Sequence, residues 1–296
     1  MIAHVVWAVR PNTGSKAHFA EPVHAFFGRT SGPVRVAILR GMRRSASSRG
    51  AKISYRTAGV RAPLVLLCGW SMNADRWWAT GYVDELSNDY RVIAIDRLGH
   101  GESDKPHDAA LYEERLIVDD LVAVFDAERV DRAILWGYSL GAKNAASLAV
   151  CFPERVAALV CGGGGPLPGT EAGRERFLAA SNLVNTVEGA RAFMKSLGMA
   201  DVIVEESLQR NDVLALAATL KGTADWWPAA EDIVAPSLWY KGTDDQGGLS
   251  AEDRVVAERC GVEIHDLAGA NHAAAFAGSR DVLSFVRPFL DRHRPG

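Results

Sequence analysis

Cysteine is scarce in this sequence and long apolar runs are missing, and each shortage argues against a class of protein. The four cysteines among 296 residues lie far apart and show no CxxC or similar spacing. This argues against a disulfide framework and against a zinc site, so we expect free, buried thiols in a reducing compartment. No run approaches the roughly 18–20 consecutive apolar residues of a membrane-spanning helix, and no membrane span is predicted.

A surplus of charge of one sign is missing as well. The formal net charge is −3, which provides no electrostatic reason to expect a nucleic-acid partner. With 48% hydrophobic and 23% charged residues, the composition is that of an ordinary folded domain. Whole-chain disorder, collagen and coiled coil are therefore excluded.

Residues 1–50 depart from this balance. They hold eight basic residues and one acidic residue, which leaves 25 basic and 35 acidic residues in 51–296. Three interpretations stay open: a transit peptide, a flexible basic arm, or a non-native start ahead of Met42. We expect a cytoplasmic protein with a basic N-terminal extension over 1–50. Organellar targeting by that extension is the alternative.

Short apolar runs alternate with helix-length amphipathic segments through the first half of the remaining chain. The runs at 64–68, 91–95, 133–136 and 156–161 are mostly apolar, as expected for strands buried on both faces of a parallel sheet. The segments between them repeat apolar residues every three or four positions and cover 74–86, 111–128 and 140–152. This alternation predicts an α/β fold with right-handed crossovers.

The alternation stops at residue 166. Residues 166–230 show helical periodicity without a convincing strand, and strand-like runs return at 237–240 and 262–267. We predict a core formed by 51–165 and 231–296, with a helical cap over 166–230.

The pattern G-x-S-x-G stands at 137–141, between a predicted strand and a predicted helix. In that context the serine lies on a tight turn that presents its hydroxyl outside the sheet. The small flanking residues let the helix pass close to the strand, and the helix N-terminus supplies N–H groups that can stabilise an oxyanion. We predict that Ser139 is a catalytic nucleophile.

A nucleophilic serine needs a base and a group that orients the base. Of the eight histidines, His272 follows the last predicted strand, where α/β sheets place functional groups. The acid is expected between the serine and the histidine in the chain, and Asp244 and Asp245 follow the preceding strand. At this level either aspartate could accept the imidazole N–H.

These stretches together resemble the α/β-hydrolase superfamily, in the branch of small capped esterases, lactonases and cofactor-free haloperoxidase-like proteins. The resemblance covers 51–296 and is carried by 66–70, 96–103, 137–141, 242–245 and 271–272. It implies a mostly parallel central sheet flanked by helices, with a helical cap inserted after the sixth strand. It also implies that Asp245, the last position of a G-x-x-D motif, is the triad acid. The oxyanion N–H groups would come from Trp70 and Leu140.

The sequence departs from the family pattern at Cys68, where the family usually has histidine in the oxyanion loop. The resemblance also excludes reactions: epoxide hydrolases and haloalkane dehalogenases of this fold use an aspartate nucleophile, and position 139 is serine. It implies no cofactor, and no metal-ligand cluster is visible in the sequence.

The expected function is hydrolysis of a small apolar carboxylic ester or lactone by Ser139, His272 and Asp245. Alternatives are C–C bond or amide hydrolysis with the same triad, or a slow receptor-like ligand-binding protein on this fold. Two adjacent aromatic pairs are candidate pocket residues, with core packing as the competing interpretation: Trp77 and Trp78, and Trp226 and Trp227.

Overall fold

A computed structural model describes residues 41–165, 170–246 and 248–295. They form an eight-stranded sheet with the strand order β1-β2-β4-β3-β5-β6-β7-β8. The strands are β1 (Met42–Ser48), β2 (Ala51–Ala58), β3 (Ala62–Leu67), β4 (Tyr90–Ile95), β5 (Ala133–Tyr138), β6 (Val156–Gly162), β7 (Ser237–Gly242) and β8 (Glu263–Leu267). β2 pairs antiparallel with both β1 and β4, and all other pairs are parallel. The predicted mostly parallel sheet is confirmed.

Eleven α-helices occur in the described part of the chain. They are α1 (Asp75–Ala79), α2 (Tyr82–Leu86), α3 (Glu114–Ala127), α4 (Leu140–Cys151), α5 (Glu171–Leu183), α6 (Val187–Ser196), α7 (Asp201–Arg210), α8 (Val213–Gly222), α9 (Ala251–Arg259), α10 (His272–Ala277) and α11 (Ser279–Arg292). Short 3₁₀ turns lie at Ala109–Tyr112, Pro153–Arg155 and Ala230–Asp232.

Helices cover both faces of the sheet, which explains the continuous apolar runs. Side chains of α3, α4 and α9 join one core cluster with one face of the sheet. Side chains of α1, α2, α10 and α11 join a second cluster on the other face. Every residue of β5 and β6 is buried, as a central parallel strand requires.

The sheet begins earlier in the chain than predicted. Residues 42–48, placed in the N-terminal extension, form the edge strand β1, and the polar sequence MRRSASS concealed it. Arg49 and Gly50 both have positive φ, 49° and 81°, and close a two-residue hairpin of the kind that favours strand pairing. The rest of the predicted extension, 1–40, lies outside the described residues.

Two helical predictions also change. The predicted helix over 74–86 is two short helices, because Gly81 adopts φ 83° between α1 and α2. Helix α7 was not predicted; it buries only Val204 and Ser207, so its sequence carries a weak apolar stripe.

Four helices, α5 to α8, lie between β6 and β7 and are called the helical insertion below. Their apolar side chains form one cluster with Trp70 and Leu140 of the core. The insertion therefore packs directly on the two residues predicted to form the oxyanion hole. Residues 166–169, at the start of the predicted cap, lie outside the described residues. No helix among the described residues is both long and apolar enough to cross a membrane.

Candidate active site

Ser139 lies on a strained turn between β5 and α4. Its backbone has φ 53° and ψ −120°, a conformation that costs a non-glycine residue free energy and is typical of functional sites. The Ser139 N–H donates to the Gly162 carbonyl at 2.8 Å. This hydrogen bond ties the turn to the end of the neighbouring strand β6.

The flanking glycines are required by close backbone approach. A Cβ atom at Gly137 would lie 2.2 Å from the Gly141 carbonyl oxygen, and one at Gly141 would lie 2.3 Å from the Leu67 carbonyl oxygen. Both distances are shorter than any real contact of this type, so only glycine lets α4 leave the sheet here. The local sequence G-x-S-x-G thus dictates how Ser139 is presented.

His272 and Asp245 meet at the carboxyl end of the sheet. The imidazole Nδ1 lies 2.6 Å from Asp245 Oδ2, the length of a strong charge-assisted hydrogen bond. The Asp245 carboxylate is 3% exposed and the imidazole 17%. Asp244 faces solvent instead, and its Oδ1 accepts a hydrogen bond from the Thr243 hydroxyl at 3.3 Å.

Further contacts hold the backbone of His272 in place. The Asn271 side chain caps helix α10 by accepting from the Ala274 N–H. The Tyr138 hydroxyl donates to the His272 carbonyl at 2.6 Å, and the two rings lie 5.2 Å apart. Since Tyr138 immediately precedes Ser139, this bond ties the serine turn to the histidine.

Gly163 lies against both Ser139 and His272. A Cβ atom at this position would be 3.0 Å from His272 Cε1 and 3.4 Å from the Ser139 backbone nitrogen. The imidazole ring and the serine turn are therefore neighbours. Within the described residues, Ser139 Oγ makes no hydrogen bond to the ring, and in unliganded sites such bonds are often long.

The loop after β3 passes beside the serine. A Cβ atom at Gly69 would lie 3.3 Å from Ser139 Cβ, and Trp70 follows directly. The Trp70 indole N–H donates to the Leu216 carbonyl of the insertion at 3.0 Å. Within the described parts of the chain, the backbone N–H groups of Trp70 and Leu140 donate to no protein acceptor.

Buried polar groups support this loop from below. The Gly69 carbonyl accepts from Arg97 Nη2 at 3.0 Å and from the Met72 N–H at 3.3 Å. The Cys68 thiol donates to the Asn73 carbonyl at 2.9 Å. Burial raises the pKa of Cys68 well above its usual value of 9.0, so this thiol stays protonated and structural.

The four candidate pocket tryptophans do not form one group. Trp77 has no exposed surface and makes edge contacts within an aromatic core cluster. Trp78 lies under the Arg56 guanidinium at 3.9 Å. Trp227 contacts the Phe177 ring at 4.8 Å, and Trp226 is 39% exposed. For Trp77, packing is thus the interpretation that the structure favours.

Sequence reasoning missed three contributors to the site: Arg97, Tyr138 and Gly163. Tyr138 stands inside the G-x-S-x-G pattern and Arg97 follows Asp96 in the second family stretch. Their partners are distant in sequence, so no local spacing could have revealed their contacts.

Comparison with known proteins gives a consistent picture. The family profile described as "alpha/beta hydrolase fold" matches residues 62–193. A 2-hydroxymuconate semialdehyde hydrolase of Pseudomonas sp. is 37% identical over 38% of this chain and 39% of its own length. A 2-(acetamidomethylene)succinate hydrolase of Mesorhizobium japonicum is 28% identical over 70% of this chain and 80% of its own length. Human epoxide hydrolase 4 is 32% identical over 38% of this chain and 31% of its own length.

Solved structures agree with this fold. A thermophilic esterase from Thermogutta terrifontis matches with a TM-score of 0.73 at 19% identity, over 86% of this chain and 100% of its own. An E-2-(acetamidomethylene)succinate hydrolase matches with a TM-score of 0.68 at 24% identity, over 85% of this chain and 99% of its own. At these identities the likeness establishes the fold alone.

Proposed function

Because this chain belongs to the α/β-hydrolase superfamily, we propose that it is a serine hydrolase that cleaves a carboxylic ester or a lactone. The observation that carries the proposal is the 2.6 Å pairing of His272 with Asp245 beside the strained turn of Ser139. A base, the group that orients it and a nucleophile are the three roles that acyl transfer requires.

The reaction proceeds in two halves. His272 takes the proton of the Ser139 hydroxyl, and Ser139 Oγ attacks the carbonyl carbon of the substrate. The tetrahedral oxyanion accepts hydrogen bonds from the N–H groups of Trp70 and Leu140. His272 then protonates the leaving alcohol, the acyl-enzyme remains, and water repeats the cycle to release the acid.

Asp245 has a distinct task in this cycle. Its carboxylate accepts a hydrogen bond from the Nδ1–H of His272, which leaves Nε2 without a proton and able to act as the base. It also stabilises the imidazolium that forms when the serine proton is transferred. Because Asp245 is buried, water screens this attraction little.

An epoxide-opening reaction is not proposed, although human epoxide hydrolase 4 is similar over part of the chain. Epoxide hydrolases of this fold use an aspartate as nucleophile, whereas the turn here carries Ser139.

C–C bond hydrolysis is the second candidate, because a relative 37% identical over part of the chain is named a 2-hydroxymuconate semialdehyde hydrolase. The same triad serves both reactions, and the fold does not select between them. A series of p-nitrophenyl esters and a 2-hydroxy-6-oxo-dienoate, assayed in parallel, separates the two. A higher kcat/KM for the dienoate would favour C–C hydrolysis.

The first test is labelling with a fluorophosphonate, read by intact mass. We expect the wild type to gain one label and Ser139→Ala to gain none, with kcat lowered by roughly 10⁶-fold. Ser284→Ala is the matched control, since Ser284 is exposed on α11 and its hydroxyl donates to the Asp281 carbonyl of the same helix. No labelling of folded wild-type protein would contradict the proposal and favour a ligand-binding role.

A further inference from the structure

We propose that Arg97 is a positioning residue for the oxyanion hole: its guanidinium holds and polarises the Gly69–Trp70 peptide, whose N–H faces the oxyanion. This inference rests on the proposed function, because it assigns a task to Arg97 within the same reaction. Arg97 does not touch the substrate in this proposal and acts through the peptide group.

The geometry that supports it lies within one peptide unit. Arg97 Nη2 donates to the Gly69 carbonyl oxygen at 3.0 Å. The carbonyl of Gly69 and the N–H of Trp70 belong to the same planar amide, and in a trans amide the two point in opposite directions. A donor fixed on the oxygen therefore fixes the direction of the Trp70 N–H on the other side.

Charge strengthens this effect. A cationic donor on a carbonyl oxygen withdraws electron density from the amide, which makes its N–H a better hydrogen-bond donor. The gain is largest where water is excluded, and Arg97 is 3% exposed. The benefit also grows as negative charge develops on the substrate oxygen, so it favours the transition state over the bound substrate.

The immediate partners of Arg97 are neutral. Its Nη1 donates to Asn144 Oδ1 at 2.8 Å, and its Nη2 also lies 3.4 Å from His100 Nε2. In the described parts of the chain no carboxylate oxygen lies within 4.0 Å of the guanidinium. Burial lowers the pKa of Arg97 to about 10, so the side chain is still charged at neutral pH.

His100 is neutral as well, which matters because a second cation here would repel Arg97. Burial, followed by the charge of Arg97, holds the pKa of His100 well below its ordinary 6.5. With its Nδ1–H directed at the Leu98 carbonyl, 3.2 Å away, the ring offers Nε2 to Arg97 as an acceptor. A buried cation without a direct ion pair is unfavourable in the resting protein. Glu114 and Asp96 stabilise the charge of Arg97 only from a distance, and an oxyanion on the far side of the peptide adds a further negative charge.

The nearest acid in this network is one residue removed. Asn144 Nδ2 donates to Glu114 Oε1 at 2.6 Å, and Glu114 Oε2 is itself 3.1 Å from the Lys143 ammonium. Glu114 is therefore already paired, and Asn144 serves to orient the planar guanidinium. Two donors of one rigid fork reach Asn144 and Gly69 together, a geometry that the single ammonium of lysine does not reproduce.

The test compares Arg97→Gln, which loses the charge, with Arg97→Lys, which keeps it. We expect Arg97→Gln to lower kcat by about 10- to 100-fold with little change in KM, less than the 10²–10³-fold for loss of a direct oxyanion donor. Arg97→Lys should recover part of that loss. Arg155→Gln is the matched control. Arg155, the residue before β6, likewise donates to two backbone carbonyls, those of Val130 and Asp131, so the substitution removes a similar pair of hydrogen bonds.

The second readout is inhibition by a trifluoromethyl ketone, whose adduct with Ser139 carries an oxyanion. From the wild type to Arg97→Lys to Arg97→Gln, the Ki of this inhibitor should rise in proportion to the fall in kcat/KM. Equal kcat/KM in Arg97→Gln and wild type, or a Ki that does not follow kcat/KM, would overturn the inference. If the fluorophosphonate labels Ser139 in the wild type but the Arg97 variants keep the wild-type kcat/KM and Ki, this inference alone is refuted. If the wild type is never labelled, the proposed function is refuted as well.

Discussion

Replacing Asp245 by asparagine should cost far more activity than the same change at Asp244, although the two residues are adjacent. Asp245 holds His272 Nδ1 at 2.6 Å and is buried, whereas Asp244 is exposed and contacts Thr243. Asparagine preserves the size of the side chain in both cases. The comparison therefore isolates the carboxylate charge and its hydrogen bond.

The magnitude follows from two effects. Unit charges about 4 Å apart in a medium of effective dielectric constant about 20 attract by about 4 kcal/mol, and Asp245→Asn removes this attraction from the imidazolium. An amide can also donate to Nδ1, which stabilises the wrong imidazole tautomer. Together we expect about 5 kcal/mol, or about 10⁴-fold in kcat, the size of the equivalent change in the serine-protease triad.

Steady-state hydrolysis of p-nitrophenyl butyrate provides the assay, with far-UV circular dichroism to verify folding of both variants. Asp244→Asn should stay within about twofold of wild type, as for an exposed substitution of about 0.5 kcal/mol or less. Similar losses in the two variants, or a larger loss in Asp244→Asn, would refute the assignment of Asp245 as the acid.

Three further predictions concern stability. Burial holds the pKa of His100 well below 6.5 in the folded protein, so below pH 6.5 the unfolded chain binds a proton that the folded protein does not. Each further pH unit should then lower the unfolding free energy by about 1.4 kcal/mol through this residue. Urea titrations near pH 7 and pH 5 should therefore show a smaller fall in the unfolding free energy for His100→Gln than for the wild type. In Gly141→Ala the new Cβ would lie 2.3 Å from the Leu67 carbonyl oxygen. We expect the free energy of unfolding in urea to fall by about 1–3 kcal/mol and kcat to fall as well. An unchanged urea midpoint would contradict this prediction. Trp77→Ala should cost about 3–5 kcal/mol without altering the ester chain-length preference, whereas Trp226→Ala, at a residue 39% exposed, should cost about 0.5 kcal/mol or less. A changed chain-length preference in Trp77→Ala would show that Trp77 lines the pocket.

Some features could be predicted because their physical cause is local. A strand buried on both faces must be apolar throughout, so β3, β4, β5 and β6 were visible as runs. The serine turn was visible because its G-x-S-x-G pattern is local: Gly137 is required by the backbone of Gly141, two residues beyond Ser139, although Gly141 itself is required by the Leu67 carbonyl of β3.

Other features were hidden because a pattern along one segment does not report its partner. The edge strand β1 is polar, and only its pairing with β2 reveals it. For the aromatic pair at 77–78 the sequence left pocket lining and core packing open, and only the packing of Trp77 against Tyr82, Trp136 and Phe276 shows that its ring is fully buried.

The sequence by itself determined the α/β architecture and singled out Ser139 and His272, because elbow glycines and strand ends are read from neighbouring residues. The family resemblance favoured Asp245, whereas the residues themselves left both aspartates open until the tertiary structure showed which one faces the imidazole. Successive residues of the turn after β7 point in different directions, and Asp245 is directed inward by its own N–H donating to the Gly242 carbonyl. The contact of Arg97 with Gly69, 28 residues apart in the chain, likewise exists only once β3 and β4 lie side by side in the sheet.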